Sequence, residues 1–573
     1  MSSWILRVEG VNFAATIDDT NDLSTMRGGS LALLNFHEQV GAALKGLAGV
    51  TKAEKVFSGA SLCAFRVEGT LADFAETARR TIAGVFSDPQ YGWNAKGEDQ
   101  AVPLNYLTVV VDAAETAVAS VEDKTIDAGI DKAEARNHAR QFRQWTIAPL
   151  PAAPVHANAT TEADRFEKVR PATAWIRAPK GHLLNATAED TSSANGSDIY
   201  HTSASVAARR NYGRDARQKF YGKQLGEGYA KLLFTDSVSD IAEELPADYR
   251  LPVSLRSKIA VFYADGNKFG SIRKEVGAKA FSDRLDILRK GLLKSILDWY
   301  VAGEADEDEF GPLGDAFAVY SEKRSQWALR FETLMWGGDE LLFVMPAWLA
   351  VPFTQGFFEM TKAWEIGGVP VSHAVAVAIA HHKTPIRQLK AVAKRAADLA
   401  KNASPDLRKA SSVTFEVYES LAPPDTDSNF EAERLRLYGN NPAIAPDDQA
   451  SALARLLAIP GDEFTGAVRR FQEIQRGFPR SQIYAALRAM REARGLWDKE
   501  AEDAARVVIE KYARFDSRAV DCLHANRLPS FGLGKAQPDR PLSLDLAMLA
   551  TFWDYFEPFG ELKAFPANSI VGG

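Results

Sequence analysis

The sequence predicts an α+β chain in which a βαββαβ unit occurs twice, with a helical region between the copies and a helical segment after the second. Three observations lead there. Residues 259–270, IAVFYADGNKFG, form an apolar run of strand length ending on Asp265. Residues 331–346, FETLMWGGDELLFVMP, are two apolar runs flanking Gly337, Gly338, Asp339 and Glu340. Near the start, Glu9-Gly10-Val11-Asn12-Phe13 repeats the acid, glycine and phenylalanine of Asp265-Gly266-Asn267-Lys268-Phe269, with the asparagine displaced by one.

In the first copy (1–120), a strand at 5–8 precedes 56–65, VFSGASLCAF, again two apolar runs about a glycine turn. It stands where GGDE stands later, without the acids; 106–111 is a further buried-strand candidate. In the region 121–250, residues 122–145 are charged and helix-compatible, 148–161 read as a Pro/Ala linker, and 185–203 as a small-residue loop. Residues 203–221 mix Arg209, Arg210, Arg214, Arg217 and Lys219 with Tyr212, Phe220 and Tyr221. Such a mixture suits phosphates and bases, but a solvated helix face is the preferred reading.

The second copy (251–425) continues with a helix over 279–300, an acidic loop at 303–314, the hairpin, a helix over 348–366 and a strand over 371–380. That strand sets Val371, His373, Val375, Val377 and Ile379 on one face and small residues on the other, where a helix packs closely. His373 reads as a core histidine; His381 and His382 leave open a loop role or an approach to a base. Thr384-Pro385 opens a helix that turns Ile386, Leu389, Ala393, Ala396 and Ala400 inward, and 412–417 is the closing strand. In a ferredoxin-like order the hairpin turn lies beside the end of the first strand, so Asp265 and Asp339 are expected to meet. The acidic loop falls at the other end of the sheet. From 426 to 573, apolar spacing of three and four predicts helices over 450–457, 464–476, 482–493 and 500–514.

Composition limits the alternatives. With 46% hydrophobic and 25% charged residues in 573, the chain has ample core, and a net charge of −7 argues against a surface basic all round. Cys63 and Cys522 are the only cysteines, too few for a disulfide framework or a cysteine zinc site. No apolar run reaches membrane length and MSSWILRVEG lacks signal-peptide zones, so the expected location is cytoplasmic, with no membrane partner. Carboxylates at strand ends beside glycines suit metal-assisted phosphoryl transfer, because magnesium takes one or two carboxylates and completes its shell with water and phosphate. A hairpin with a polar turn and an unrelated strand-end aspartate is the plainer alternative.

These residues resemble the large polymerase/cyclase subunit of type III CRISPR effector complexes. The matching pieces are 264–270 (ADGNKFG), the GGDE turn, and 381–385 (HHKTP) leading into a helix that ends on Lys401. Val8-Glu9-Gly10-Val11 and Arg27-Gly28-Gly29-Ser30 look like the family's degenerate first palm, and Arg170-Pro171-Ala172 with 209–221 like the segment between palms. The resemblance implies two palm domains of the GGDEF/cyclase type and a nucleotidyltransferase making a cyclic or linear oligonucleotide messenger from ATP in antiviral defence. Asp265, Asp339 and Glu340 would be catalytic, and Mg2+ or Mn2+ would sit on Asp265, Gly266, Asp339 and Glu340. Nucleotide would contact Gly266, Asn267, Phe269, Gly270, Gly337, Gly338, Lys401 and, for a second nucleotide, Ser30. Nucleoside triphosphates, CRISPR RNA and other effector-complex subunits are the implied partners.

Three departures qualify this. Glu340 replaces the family's second turn Asp. No histidine is followed by Asp, so no nuclease activity is expected, and the cysteines that bind zinc between palms are absent. Diguanylate cyclases share the turn, but Gly270, Arg273 and Lys274 occupy the places of their lysine and guanine-reading residues. A non-catalytic palm scaffold in an RNA-guided complex and a stand-alone signalling cyclase remain the rival readings.

Overall fold

In a computed structural model the described residues are 2–12, 17–59, 61–87, 103–104, 107–116, 123–143, 166, 170, 174–177, 199–245, 251–305, 314–321, 325–403, 410–419, 430–532 and 540–556. The predicted linker at 148–161, most of the loop at 185–203, the acidic loop beyond 305, Phe13, Tyr106, Pro171 and Ala172 lie outside them. The chain divides into two compact units. The first comprises Met1–Lys231 with Gly277–Ser282 and Leu334–Gly338, and the second holds the rest.

The first unit runs β1 (Ser2–Val11), α1 (Leu23–Lys45), β2 (Val50–Ser58), β3 (Leu62–Gly69), α2 (Phe74–Ser87), β4 (Thr108–Thr116), α3 (Asp123–Gln141), β5 (Ala174–Arg177), β6 (Ile199–Thr202), α4 (Ala204–Leu225) and α5 (Glu227–Ala230). Its sheet is ordered β2-β3-β1-β4, with β1 antiparallel to both neighbours. The period of two along β1 separates two cores: Trp4, Leu6 and Val8 join Phe36, Val40, Phe74 and Ile82 of α1 and α2, while Ile5 joins Ile130 and Ala133 of α3.

Helix α1 is capped by Asp22, which accepts from the Thr25 amide at 2.9 Å. It crosses α4 with backbone nearly touching backbone. A Cβ on Gly28 would fall 1.7 Å from the Arg209 carbonyl oxygen, and one on Gly213 would fall 2.6 Å from that of Ser24. Gly28 is thus a packing residue inside a helix. The basic stretch also turns out differently from a solvated face. Arg209 is fully buried and grips Asp19 at 2.8 and 3.0 Å, Arg170 joins the same carboxylate at 2.7 Å, and Arg210 pairs with Asp22. Arg214 and Lys219 alone of the five basic residues are exposed.

From α6 onward the chain runs α6 (Val238–Ile241), β7 (Lys258–Gly266), α7 (Phe269–Val276), α8 (Ala278–Ala305), α9 (Gly314–Phe317), β8 (Ala318–Ser321), β9 (Gln326–Leu329), β10 (Glu332–Gly337), β11 (Glu340–Pro346), α10 (Ala350–Thr361), β12 (Glu365–Ile366), β13 (Val369–Pro370), β14 (His373–His381), α11 (Ile386–Ala403) and β15 (Ser412–Tyr418), all in the second unit except the start of α8 and the end of β10. There follow α12 (Phe430–Tyr438), α13 (Gln449–Leu457), β16 (Ile459–Pro460), α14 (Phe464–Gly477), α15 (Arg480–Ala489), α16 (Lys499–Ala513), α17 (Ser517–Ala525) and α18 (Leu542–Phe552). The sheet order is β10-β11-β7-β14-β15-β16. Its first four strands stand second-third-first-fourth, as in the first unit, and β15 adds on in parallel to β14.

Strand β7 is an apolar run because both its faces are covered. Helix α11 lies on the alanines of β14, held by Ser412 Oγ donating to the Ala400 carbonyl at 2.7 Å and Thr414 Oγ1 to that of Ala396 at 3.0 Å. The helix begins one residue after Pro385, whose carbonyl accepts from the Leu389 amide. His373 is a core residue, edge-on to Phe269, Phe357 and Trp364, and burial lowers its pKa to about 4. Helices α7, α12, α17 and α18 escaped the sequence reading. Phe552 and Phe556, at and after the end of α18, pack on Phe415 of β15. No described helix is long and apolar enough to cross a membrane.

Candidate active site

The site grows from one register. Strands β7 and β11 are antiparallel with Glu340 opposite Asp265, and the Gly266 amide donates to the Asp339 carbonyl at 2.9 Å. Three carboxylates from residues 75 apart in sequence therefore share one end of the sheet. Gly338, at φ +60, makes the turn that leads into Asp339.

The loop after Asp265 is built inward. A Cβ on Gly266 would meet the Phe269 ring at 2.5 Å, so glycine is needed for that ring to fold back, and Lys268 takes φ +55 before α7 starts. Asn267 is fully buried; its Nδ2 donates to Ser372 Oγ at 3.0 Å and its amide to the Ser372 carbonyl at 2.9 Å. Asn267 and Phe269, expected at the nucleotide, thus tie the end of β7 to the approach to β14. Gly270 is exposed with open space around it.

Helix α11 brings two lysines to the acids. Lys401 Nζ donates to Asp265 Oδ2 at 2.7 Å, and Lys394 Nζ to Glu340 Oε1 at 3.1 Å. The same Glu340 oxygen accepts from the Tyr263 hydroxyl at 2.5 Å. Asp339 has no side-chain ion pair among the described residues. The residue as a whole is exposed, yet the pKa of its carboxyl, set against the other two acids, is pushed up to about 6, by partial loss of solvation first and then by the charges of Asp265 and Glu340. Burial likewise raises Asp265, although Lys401 opposes it. For Glu340 burial is outweighed by Lys394, the Tyr263 hydrogen bond and Lys390, and its pKa falls below the usual carboxylate range. Arg289 of α8 is buried within the field of Asp339.

Tyr263, Lys394 and Arg289 were missed in the sequence. Signals for two of them existed: Tyr263 is two residues before Asp265, on the same strand face, and Lys394 is seven before Lys401, on the same helix stripe. His381 and His382 stand at the other end of the sheet, since His381 pairs with Lys258. Seven residues of β7 separate them from Asp265 by about 23 Å, so they serve the loop there and do not approach the acids. Ser30 lies half-buried inside α1 of the first unit.

The first unit repeats this geometry without its chemistry. Glu9 pairs with Leu62, the Gly10 amide donates to the Ser61 carbonyl at 2.8 Å, and Asn12 takes φ +69 as Lys268 does. Ser61 and Leu62 therefore hold the places of Asp339 and Glu340, and Glu9 is neutralised by Arg7 at 3.3 Å.

Among the described residues no three His, Cys, Asp or Glu side chains form a ready metal cage. Asp265 and Asp339 are nevertheless a fitting donor set for magnesium or manganese, which keeps places for water and phosphate beside one or two carboxylates. The crowding that raises Asp339 is the charge excess a divalent cation relieves.

No protein-family model matches the chain, and no curated protein matches it. Solved structures do. Csm1 of T.onnurineus is 10% identical over 97% of this chain and 70% of its own, with a TM-score of 0.47. A type III-B Cmr-beta chain, in a complex bound to cognate target RNA, is 10% identical over 97% of this chain and 83% of its own, at 0.47. A chain of the Csm1–Csm4 cassette in complex with cA4 is 11% identical over 97% and 70%, at 0.43. The chain is similar to Csm1. The chemistry rests on this chain's own residues.

Proposed function

We propose that this chain is a metal-dependent nucleotidyltransferase of the type III CRISPR polymerase kind, joining nucleoside triphosphates, ATP first among them, into a cyclic or linear oligonucleotide. The second unit's sheet would be the catalytic palm and the first unit's its degenerate copy, working beside CRISPR RNA and other effector-complex subunits. The observation that carries the reading is the β7–β11 register, which crowds Asp265, Asp339 and Glu340 together at one glycine turn.

Asp265 and Asp339 would hold Mg2+ or Mn2+. When bound, the ion lowers the pKa of an attacking ribose hydroxyl and neutralises charge on the phosphates. Lys401 supplies a cation for the triphosphate. Gly337 and Gly338 leave the turn free of side chains that would bar phosphate from the backbone. Tyr263 and Lys394 hold Glu340 ionised, so it keeps Asp339 crowded and keeps the site in need of a cation.

The test is incubation with ATP and Mn2+, with and without effector partners and target RNA, followed by mass spectrometry. Wild type should yield oligoadenylates and Asp339→Ala none; equal product from both refutes the assignment. A scaffold role is favoured by the engagement of both Asp265 and Glu340 with lysines. It predicts no change in melting temperature on adding nucleotide and metal, whereas binding to the folded state requires a rise.

A further inference from the structure

We infer that Lys401 and Lys394 are built-in counter-ions that occupy the acid cluster until a metal–triphosphate complex displaces them, so that metal and nucleotide bind as a coupled pair. This rests on the reading of the site as a nucleotidyltransferase and says how that site is loaded.

Lys401 and Lys394 lie seven residues apart on α11, about two turns or 10 Å along one stripe. Each reaches a different member of the cluster: Lys401 takes Asp265 at 2.7 Å and Lys394 takes Glu340 at 3.1 Å. The Asp265 side chain is 15% exposed and that of Lys401 30%, so their attraction is only partly screened. Asp339 makes no side-chain ion pair of its own among the described residues and feels Lys401 and Arg289 only through their charge. The pattern is three carboxylates held by two movable ammonium groups.

Asp265 would meet a divalent cation already paired through Oδ2, and a cation taking that oxygen without nucleotide would leave the Lys401 ammonium beside a new positive charge. A triphosphate changes the balance, because its oxygens give Lys401 and Lys394 an anion to move to while completing the metal's shell. Lysine suits the exchange: it is a point charge on a four-carbon stem, able to swing between carboxylate and phosphate without a fixed fork geometry. Each ligand thus removes a cost of binding the other. By linkage the two affinities rise by the same factor, typically five- to 150-fold for such coupling.

The experiment measures Mn2+ binding by the full chain, by calorimetry and by the Mn2+ spin-resonance signal, with and without a non-hydrolysable ATP analogue. In wild type, Mn2+ should bind weakly alone and about tenfold or more tightly with the analogue. In Lys401→Gln, Mn2+ alone should bind more tightly than in wild type, and the gain from the analogue should shrink severalfold. Lys401→Arg, which keeps the charge, should restore weak binding of Mn2+ alone. If Lys401→Gln leaves binding of Mn2+ alone unchanged or weaker while wild type still binds the metal–nucleotide pair, the counter-ion role is overturned and the nucleotidyltransferase reading stands. If neither protein binds Mn2+ under either condition, both are overturned. Circular dichroism of each variant separates these outcomes from misfolding.

Discussion

Replacing Tyr263 with Phe removes one oxygen from a site whose other contacts stay in place, and the structure sets the size of the effect. The hydroxyl donates to Glu340 at 2.5 Å, and the ring around it is 2% exposed, so water does not easily replace the bond. A hydrogen bond to a charged acceptor contributes roughly 1.5–3 kcal/mol. Glu340 keeps Lys394 and a side chain 28% exposed, which returns part of that, so the expected loss is about 1–2 kcal/mol. Lys394→Gln should cost less, under about 1 kcal/mol, because Lys394 is 54% exposed and its pair is screened. The double variant strips Glu340 of both partners and should cost more than the sum. Calorimetric melting of the three variants reads the order. If Lys394→Gln costs as much as Tyr263→Phe, or Tyr263→Phe costs nothing, the account of how Glu340 is held is wrong.

Gly28→Ala should destabilise the first unit despite alanine's better helix propensity of about 1 kcal/mol, because its Cβ would lie 1.7 Å from the Arg209 carbonyl oxygen and force α1 and α4 apart; a melting temperature at or above wild type would refute the close crossing. Asp339, raised to about 6, holds its proton in the folded state after the unfolded chain has lost it, so it makes the metal-free protein less stable as pH rises from about 4 to 6. Because Asp339 reaches solvent, screening reduces this below the full shift; the measurable consequence is a larger rise in melting temperature on adding Mn2+ at pH 7 than at pH 5, and equal rises would refute it. His373 works in the opposite sense over the same range: buried and lowered to about 4, it stays neutral while the unfolded chain takes up a proton, so stability falls as pH drops from about 6.5 to 4 by up to about 3 kcal/mol. His373→Leu should flatten that loss, and an unchanged acid limb would count against the assignment.

The sequence by itself determined the α+β class, the repeated strand-helix order, the hairpin carrying the acids, and the helix leading to Lys401. Those features are local: a period of two or of 3.6, a proline or glycine at a boundary, and an apolar run too polar at its ends to continue. The acid and glycine after the first unit's opening strand were legible too, although the place of Glu9 opposite Leu62 needed the pairing register.

Only the tertiary structure decided which side chains meet. Asn267 and Phe269 read as nucleotide contacts yet turn inward, because a loop's side chains go where the sheet and its neighbours leave room. Arg209 and Arg210 read as a solvated face until Asp19 and Asp22, about 190 positions away, supplied their partners. Likewise the partners of Asp265 and Glu340 come from α11, more than 50 residues further on. Charge is a property of composition, but which charge neutralises which depends on distances of a few ångströms that only folding sets.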